Sequence, residues 1–336
     1  MSNNYRVVIP DFINDDLAPE REVLGDLAAI VACDAYSEAE LVGRIEDADG
    51  IMLYHNLSLT EATINQLNRC KLIVRCGVGF DNVDRRAAGA RGIPVANVPD
   101  YGTEEVADSA MAMMLTLVRG VHQMNSTLRS KIGPYSYSQV VPLQRLRGKT
   151  FGIIGLGRIG MATAHRAKAF GMDVVFYDPY QADGYDKAVG CRRAESLEEL
   201  LRQSYVVSIH CPLTDETREM IGAESLRWMP RGSYLINTAR GAVVDTSVLP
   251  EALASGHLAA AGIDVLAEEP PSDDNPLVAA WRDPNHIAHH RLILNPHAAF
   301  YSEQGLRDMR VKGATAIRKA LLGEPLRNIV NREWLT

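Results

Sequence analysis

The sequence predicts an α/β protein of two domains, on three observations. Short β-branched runs alternate with helix-length amphipathic stretches along the chain, the rhythm of βαβ units and a parallel sheet. The 336 residues exceed the roughly 250 to 300 at which a single core stops growing. A glycine-rich turn, Gly155-Leu156-Gly157-Arg158-Ile159-Gly160, follows an apolar strand-like run and opens a helical one.

In the first hundred residues the pattern predicts strands at 7–9, 30–32, 51–53, 72–75 and 95–97, with helices such as 38–46 and 61–68 between them. A long helix is expected over 103–119. Val106, Ala110, Met113 and Leu117 recur there at helical spacing, and Thr103, Glu104 and Glu105 suit a helix start. Its methionine-rich stripe suits core or a subunit interface, and the interface reading is preferred because residues 120–147 look like an arm with little core of its own. The second block carries six expected strands, at 150–154, 174–177, 206–210, 233–237, 260–263 and 292–294, a full set for a doubly wound nucleotide domain. The tail, 302–322, reads as one helix that returns to the first block, since the second already has its strands.

Composition narrows the function. With 35 basic and 42 acidic residues the formal net charge is -7, so no large electropositive field is available to grip nucleic acid. No apolar run approaches membrane-spanning length, and the start lacks the features of a secretion signal. Five scattered cysteines without CxxC spacing favour reduced thiols, and the expected location is cytoplasmic.

The glycine turn has a specific chemistry. Gly155 permits the tight turn, Gly157 lets the backbone approach a pyrophosphate, Gly160 lets the helix sit close to the sheet, and free N–H groups at the helix start bind phosphate oxygens. Ile159, Ala162 and Phe170 are expected on one face of that helix. Asp178, about twenty residues on at the end of the second strand, is placed to accept hydrogen bonds from the adenosine ribose. It would repel a 2′-phosphate, and no arginine follows immediately, so the expected cofactor is NAD.

Three polar residues stand where strands of the second block end: Arg240 in INTARGAVVD, Glu269 in GIDVLAEEP and His297 in LILNPHAAF. Ligands collect at strand ends in open parallel sheets. A 2-keto acid needs a cation for its carboxylate, which Arg240 would supply through a planar, permanently charged fork. Its carbonyl oxygen needs a proton donor, the role of His297. Glu269 would orient the imidazole and favour its protonated form. Pro296 fixes the backbone just before the histidine.

The segments GIIGLGRIG, INTARGAVVD, GIDVLAEEP and NPHAAF resemble the D-isomer-specific 2-hydroxyacid dehydrogenase family along nearly the whole chain. In that family the matching arginine, glutamate and histidine are the catalytic three, and they fall on Arg240, Glu269 and His297. LYHNLSLT, VRCGVGFDNVD, FYDPY, IHCPLTDET and HAAFYSEQ are most similar to the C-terminal-binding protein branch, NAD-binding transcriptional corepressors. The chain departs from that branch at Phe300, where the corepressors have an active-site tryptophan, and at Pro212, which follows the dehydrogenase pattern.

The resemblance implies a Rossmann-type NAD domain over 99–299 and a smaller flavodoxin-like substrate domain formed by 1–98 and 300–336. It implies an oxidoreductase acting on a small 2-hydroxy or 2-keto acid, and a homodimer through the NAD domain. A non-enzymatic NAD-sensing interaction protein is the alternative. Further cofactor contacts are implied at Thr103, Arg158, Ile159, Tyr177, Pro179, His210, Cys211, Pro212, Thr217, Thr238, Ala239 and Asp264.

The loop Arg75-Cys76-Gly77-Val78-Gly79 would turn backbone N–H groups toward a substrate carboxylate. Arg75 would add a second cation or pair with Asp81 or Asp84. His55, Asn56 and Phe300 complete the expected substrate contacts. Cys76 and Cys211 are read as packing residues, because hydride transfer needs no covalent nucleophile. His286, His289 and His290 have no supporting ligand set and are read as part of a solvated insertion anchored by Trp281, not as a metal site.

Overall fold

The computed structural model describes residues 5–133 and 135–335. The chain forms two compact units, Met1–Gly102 with Ser302–Thr336, and Thr103–Tyr301. The divisions thus fall a few residues beyond the expected 98/99 and 299/300. They coincide with helix starts, since Thr103 begins one helix and the Ser302 side chain caps another by accepting the Gly305 N–H at 2.8 Å. Residues 1–4 and 336 of the expected substrate domain lie outside the described residues.

The first unit is built on β1 (Tyr5–Ile9), β2 (Ala28–Ala32), β3 (Gly50–Leu53), β4 (Ile73–Arg75) and β5 (Val95–Asn97). All pair in parallel in the order β2-β1-β3-β4-β5, the flavodoxin-like arrangement. Every residue of β3 and β4 is buried, as a sheet covered on both faces requires. The C-terminal helix, Glu303–Leu322, packs here. It lies so close that a Cβ on Gly50 would meet Ile317 Cδ1 at 2.9 Å, and one on Gly313 would meet Cys76 Sγ at 2.7 Å. Arg310 on this helix is buried and binds Glu20 through Nε and Nη2, each at 2.7 Å, and Asp15 through Nη1 and Nη2 at 2.7 and 2.8 Å.

Two expected helices of this unit are shorter. Over 38–46 only a 3-10 turn, Glu38–Leu41, forms, because Val42 turns extended and Gly43 takes φ 78°. Over 61–68 the α-helix is Glu61–Ile64, after which Gln66 and Leu67 bond three residues back and the helix tightens.

The second unit carries β6 (Thr150–Ile154), β7 (Asp173–Tyr177), β8 (Arg192–Arg193), β9 (Val206–Ile209), β10 (Ser233–Asn237), β11 (Leu258–Ile263) and β12 (Leu292–Leu294). The parallel order β12-β11-β10-β9-β6-β7-β8 is the doubly wound Rossmann order with one strand added beyond the sixth. Seven strands stand where six were expected. The extra one, β8, is a two-residue edge strand of arginines with no apolar signature.

Alternate residues face opposite layers: Val207, Ile209 and Leu235 join one core, Val206, Tyr234 and Ile236 the other. The helix Thr103–Val118 buries Val106, Ala110, Met113 and Leu117, and also Met111 and Met114. The methionine stripe is therefore core of this unit, not an interface. Met113 Cβ would lie 3.0 Å from a Cβ on Gly262 of β11. The helix that follows, Val121–Ser130, buries none of its residues.

Candidate functional site

The glycine turn sits at the crevice between β6 and β9, where strand order reverses. Gly155 takes φ 87°, and a Cβ there would lie 2.7 Å from the Cys211 nitrogen, so this position needs glycine on both counts. A Cβ on Gly160 would stand 2.2 Å from the Gly155 carbonyl oxygen. Gly157 differs: nothing lies within 4 Å of the position its Cβ would take. It caps the helix Arg158–Ala169 with no side-chain bond, so the first-turn N–H groups of Arg158, Ile159 and Gly160 have no partner within the helix. The buried face of this helix is Gly160, Thr163, Ala164 and Ala167, a different set from Ile159, Ala162 and Phe170, expected on one face. Small residues on that face permit the close approach, and Phe170 lies past the helix end, exposed.

Asp178 reaches back to the turn, its Oδ2 accepting the Leu156 N–H at 2.9 Å, while the Tyr177 carbonyl accepts the Gly155 N–H at 2.9 Å. Pro179 follows it into a turn in which Asp178 Oδ1 accepts the Tyr180 N–H at 3.1 Å. Beyond β9, His210 donates its backbone N–H to the Ile154 carbonyl, and its Nε2 meets Ser208 Oγ at 2.8 Å. Burial pushes the His210 imidazole down to about 3, so it stays neutral. Burial pushes the Cys211 thiol up to about 12, which leaves no thiolate. The loop 210–217 is closed by Thr217 Oγ1, which donates to the Pro212 carbonyl at 2.7 Å and accepts the Thr214 N–H at 2.8 Å.

These residues fit a dinucleotide. Gly157 leaves room for a pyrophosphate, and the buried Thr238 Oγ1 and His210 Nδ1 have no hydrogen-bond partner in the protein, which suits groups that meet a ligand. Thr103, at the head of its helix, is half-buried.

The expected catalytic residues lie on three strand exits of the same unit. After β10, the buried Asn237 folds the chain, its Oδ1 accepting the Ala239 N–H at 3.0 Å and its Nδ2 donating to the Arg240 carbonyl at 2.9 Å. Gly241 then lies against the loop after β11, where a Cβ would stand 1.9 Å from the Leu266 carbonyl carbon. That loop carries Glu269, whose Oε1 accepts the Leu266 N–H at 2.8 Å. Its Oε2 stands 2.7 Å from His297 Nδ1, so the two are brought together. Arg240, whose Nη1 donates to the Ala239 carbonyl at 2.8 Å, heads the adjoining turn.

His297 holds a left-handed backbone, φ 51°, rare for a residue with a side chain. Asp264 sustains it. Its carbonyl accepts the His297 N–H at 2.8 Å, and its carboxylate accepts the N–H groups of Ala298 and Ala299 at 3.0 to 3.1 Å. Burial raises the Asp264 pKa, and the two amides oppose that shift. The carboxylate expected to meet the cofactor thus holds the histidine loop. Phe300 packs edge-on to His297 with ring centroids 6.3 Å apart.

The expected substrate residues of the first unit form a network of their own. Arg75 is buried, with Nε 3.3 Å from Asn82 Oδ1 and Nη1 in the space a Gly77 side chain would need, 1.5 Å from that Cβ position. Asp84 spends its Oδ1 on the Ala87 N–H as a helix cap. Asn82 Nδ2 donates to the carbonyls of Tyr54 and Leu57, and the fully buried Asp11 accepts the N–H groups of Tyr54, Asn56 and Leu57. The His55 ring lies against Phe12 within the loop so held, with centroids 4.4 Å apart and planes tilted by 51°. Asn97 Nδ2 donates to the Val78 carbonyl at 2.7 Å, tying the Gly77–Gly79 turn to β5. Sequence reasoning passed over Asp11, Asn82 and Asn237. Asp11 and Asn237 are short polar side chains at strand exits and Asn82 lies seven residues past Arg75, the end of β4; each binds backbone groups of a neighbouring loop, and position relative to the strand was the only available signal.

His286 and His289 serve the backbone of the segment before β12, with His286 Nδ1 accepting the Ala288 N–H and His289 Nδ1 2.9 Å from the Trp281 carbonyl. Among the described residues no group of histidine, cysteine or acidic side chains could hold a metal ion, and no helix is long and apolar enough to cross a membrane.

A family model described as D-isomer specific 2-hydroxyacid dehydrogenase, NAD binding domain, matches residues 111–299, more than half of the chain. The chain belongs to the D-isomer specific 2-hydroxyacid dehydrogenase family. It carries that family's NAD binding domain, and the matched stretch contains the glycine turn, Asp178, Arg240, Glu269 and His297.

Two curated relatives of this dehydrogenase-family chain are C-terminal-binding protein 1 of Caenorhabditis elegans, 35% identical over 95% of this chain and 44% of the relative, and D-3-phosphoglycerate dehydrogenase of Methanocaldococcus jannaschii, 33% identical over 97% and 59%. The chain therefore spans about half the length of these relatives. Among solved structures, a D-lactate dehydrogenase from Aquifex aeolicus, complexed with NAD and lactic acid, is 30% identical with a TM-score of 0.82, covering 98% of this chain and 97% of that one.

Proposed function

We propose that this chain is an NAD-dependent dehydrogenase that interconverts a small 2-keto acid and its 2-hydroxy acid. The observation that carries the reading is the 2.7 Å approach of Glu269 Oε2 to His297 Nδ1, on a histidine held in a left-handed backbone by Asp264. The first-turn N–H groups after Gly157 and the carboxylate of Asp178 would hold NADH, with Thr103, Tyr177, Pro179, His210, Thr217, Thr238 and Ala239 as further contacts. Bound NADH would supply the hydride to the carbonyl carbon.

Arg240 binds the substrate carboxylate through its guanidinium. His297 gives a proton from Nε2 to the carbonyl oxygen during reduction and takes it back during oxidation, a contribution of roughly a hundred- to ten-thousandfold in rate. Glu269 fixes the ring so that Nδ1 carries a proton and Nε2 faces the reacting oxygen. Phe300, edge-on to His297, discriminates among acids, and in the first unit Arg75 shapes the Gly77–Gly79 turn. Glyoxylate, hydroxypyruvate and phosphohydroxypyruvate are the acids to try first. NADH oxidation followed at 2-keto acids of increasing size tests the reading, and its failure with every acid would remove it.

A second reading, an NAD-sensing interaction protein without turnover, is supported by the 35% identity to C-terminal-binding protein 1. In that case NADH binds and no acid in the panel is reduced. For assembly we propose a homodimer formed through the NAD domain. The segment around residues 121–141 supports it, with Ile132, Tyr135 and Tyr137 exposed by 86%, 88% and 78%. Sedimentation at micromolar concentration would show a monomer if this is wrong. The five free cysteines support a cytoplasmic location.

A further inference from the structure

The turn after β7 contains a side chain that no catalytic or cofactor role above uses. Gln181 Nε2 donates to the Leu156 carbonyl at 3.1 Å, inside the glycine turn, and stands 3.3 Å from Asp178 Oδ2. Its own backbone is anchored from the far side, because Arg193 of the edge strand β8 donates from Nη1 to the Gln181 carbonyl at 3.2 Å. The short β8 places that arginine through its pairing of Phe176 with Arg193. A chain of contacts therefore runs from the sheet edge to the turn, through Arg193 of β8, Gln181 and Leu156.

The consequence lies in the acceptor count of Asp178. A carboxylate has about four lone-pair sites, two on each oxygen. Oδ2 uses its two on the Leu156 N–H and the Gln181 amide, and Oδ1 uses one on the Tyr180 N–H. Among the described residues one site is left over, on Oδ1.

We infer that Gln181 is a positioning residue for the adenosine end of the cofactor: by occupying Asp178 Oδ2 and bracing the Leu156 carbonyl, it leaves Oδ1 as the oxygen that accepts a ribose hydroxyl. The inference rests on the reading of Asp178 as the ribose contact. Gln181 touches neither the ribose nor the reacting atoms and acts through Asp178 and the glycine turn. Loss of its amide removes one donor from a carboxylate that then turns more freely, and the ordering lost is recovered only at the expense of cofactor affinity.

The test is NADH binding, followed by the fluorescence of the dinucleotide, in the full chain and in Gln181→Met and Gln181→Glu. Methionine keeps the length and removes the donor; glutamate places a second carboxylate against Asp178 and the Leu156 carbonyl. NADH affinity should fall about 3- to 10-fold in Gln181→Met and further in Gln181→Glu, in line with the loss of one hydrogen bond and then a like-charge contact. With a reducible 2-keto acid the change should sit in the KM for NADH, with the KM for the acid held within about twofold. A general loosening of the fold would instead lower the Tm of the free protein and move both KM values. NADH affinity in Gln181→Met equal to that of the unaltered chain overturns the inference. If Asp178→Ala binds NADH as the unaltered chain does, the ribose reading beneath it falls, and a unaltered chain that binds no NADH removes both.

Discussion

Glu269 and His297, 28 residues apart in the chain, meet through a 2.7 Å contact between Oε2 and Nδ1. Each partner is held separately: the glutamate by the Leu266 N–H, the histidine by Asp264. A ring fixed at Nδ1 presents Nε2 in one direction, which is what proton transfer to a carbonyl oxygen demands.

Glu269→Gln keeps the shape and removes the charge. An amide offers Nδ1 a weaker acceptor and can turn its NH2 toward the ring, so the imidazole loses its fixed tautomer. Steady-state kinetics should show kcat for keto-acid reduction down by about 10- to 100-fold, with NADH affinity unchanged. A kcat within twofold of normal would leave the pair without a role in turnover.

The three glycines of the turn separate folding from binding. Alanine at Gly160 meets the Gly155 carbonyl oxygen at 2.2 Å, a backbone atom that cannot step aside, so Gly160→Ala should lower Tm by at least about 2 °C. Alanine at Gly157 meets nothing within 4 Å, so Gly157→Ala should melt as the unaltered protein does and yet lose NADH affinity by about tenfold or more. Thermal melts with and without NADH check both. Equal NADH affinity in Gly157→Ala would mean that no pyrophosphate lies there.

Asp178 should exclude the 2′-phosphate. The unaltered chain is expected to prefer NADH to NADPH, and Asp178→Ser should raise the NADPH:NADH ratio of kcat/KM by about 10- to 100-fold, chiefly by weakening NADH and relieving repulsion. A ratio unmoved by the substitution would assign cofactor choice elsewhere.

Arg310 holds the C-terminal helix to the first unit through Glu20, which is fully buried, and Asp15. Arg310→Met takes the guanidinium away from the buried Glu20, and urea unfolding should show a loss of about 3 to 5 kcal/mol. The guanidinium beside Asp15 holds its carboxyl below the usual range. A depressed folded-state pKa stabilises the protein above the unfolded value, near 3.9, and that contribution is lost as pH falls through the folded value. Acid unfolding below about pH 4 should therefore be less steep in Asp15→Asn.

Much of this was legible in the sequence because buried parallel strands are apolar and β-branched, and β5, β6, β10 and β12 begin and end where those runs do. The strand β8 was not, since Arg192 and Arg193 carry no apolar signal and pair only at the edge. The helix expected over 38–46 had correctly spaced Leu41 and Ile45, both buried, but Gly43 at φ 78° breaks it between them. At the site, the residues proposed to meet ligands stood out by chemistry. Those that hold them, Asp11, Asn82, Asn237 and Gln181, act through backbone contacts that only the folded chain brings together. Asp264 shows the same limit, for its carboxylate caps Ala298 and Ala299.

In the proposed reaction His297 moves the proton. Turnover of NADH with the best 2-keto acid, measured for the unaltered chain and for His297→Ala alongside NADH affinity, tests it most directly. In His297→Ala kcat should fall roughly a hundred- to ten-thousandfold with NADH affinity within about threefold; near-normal turnover would rule out proton transfer by this histidine.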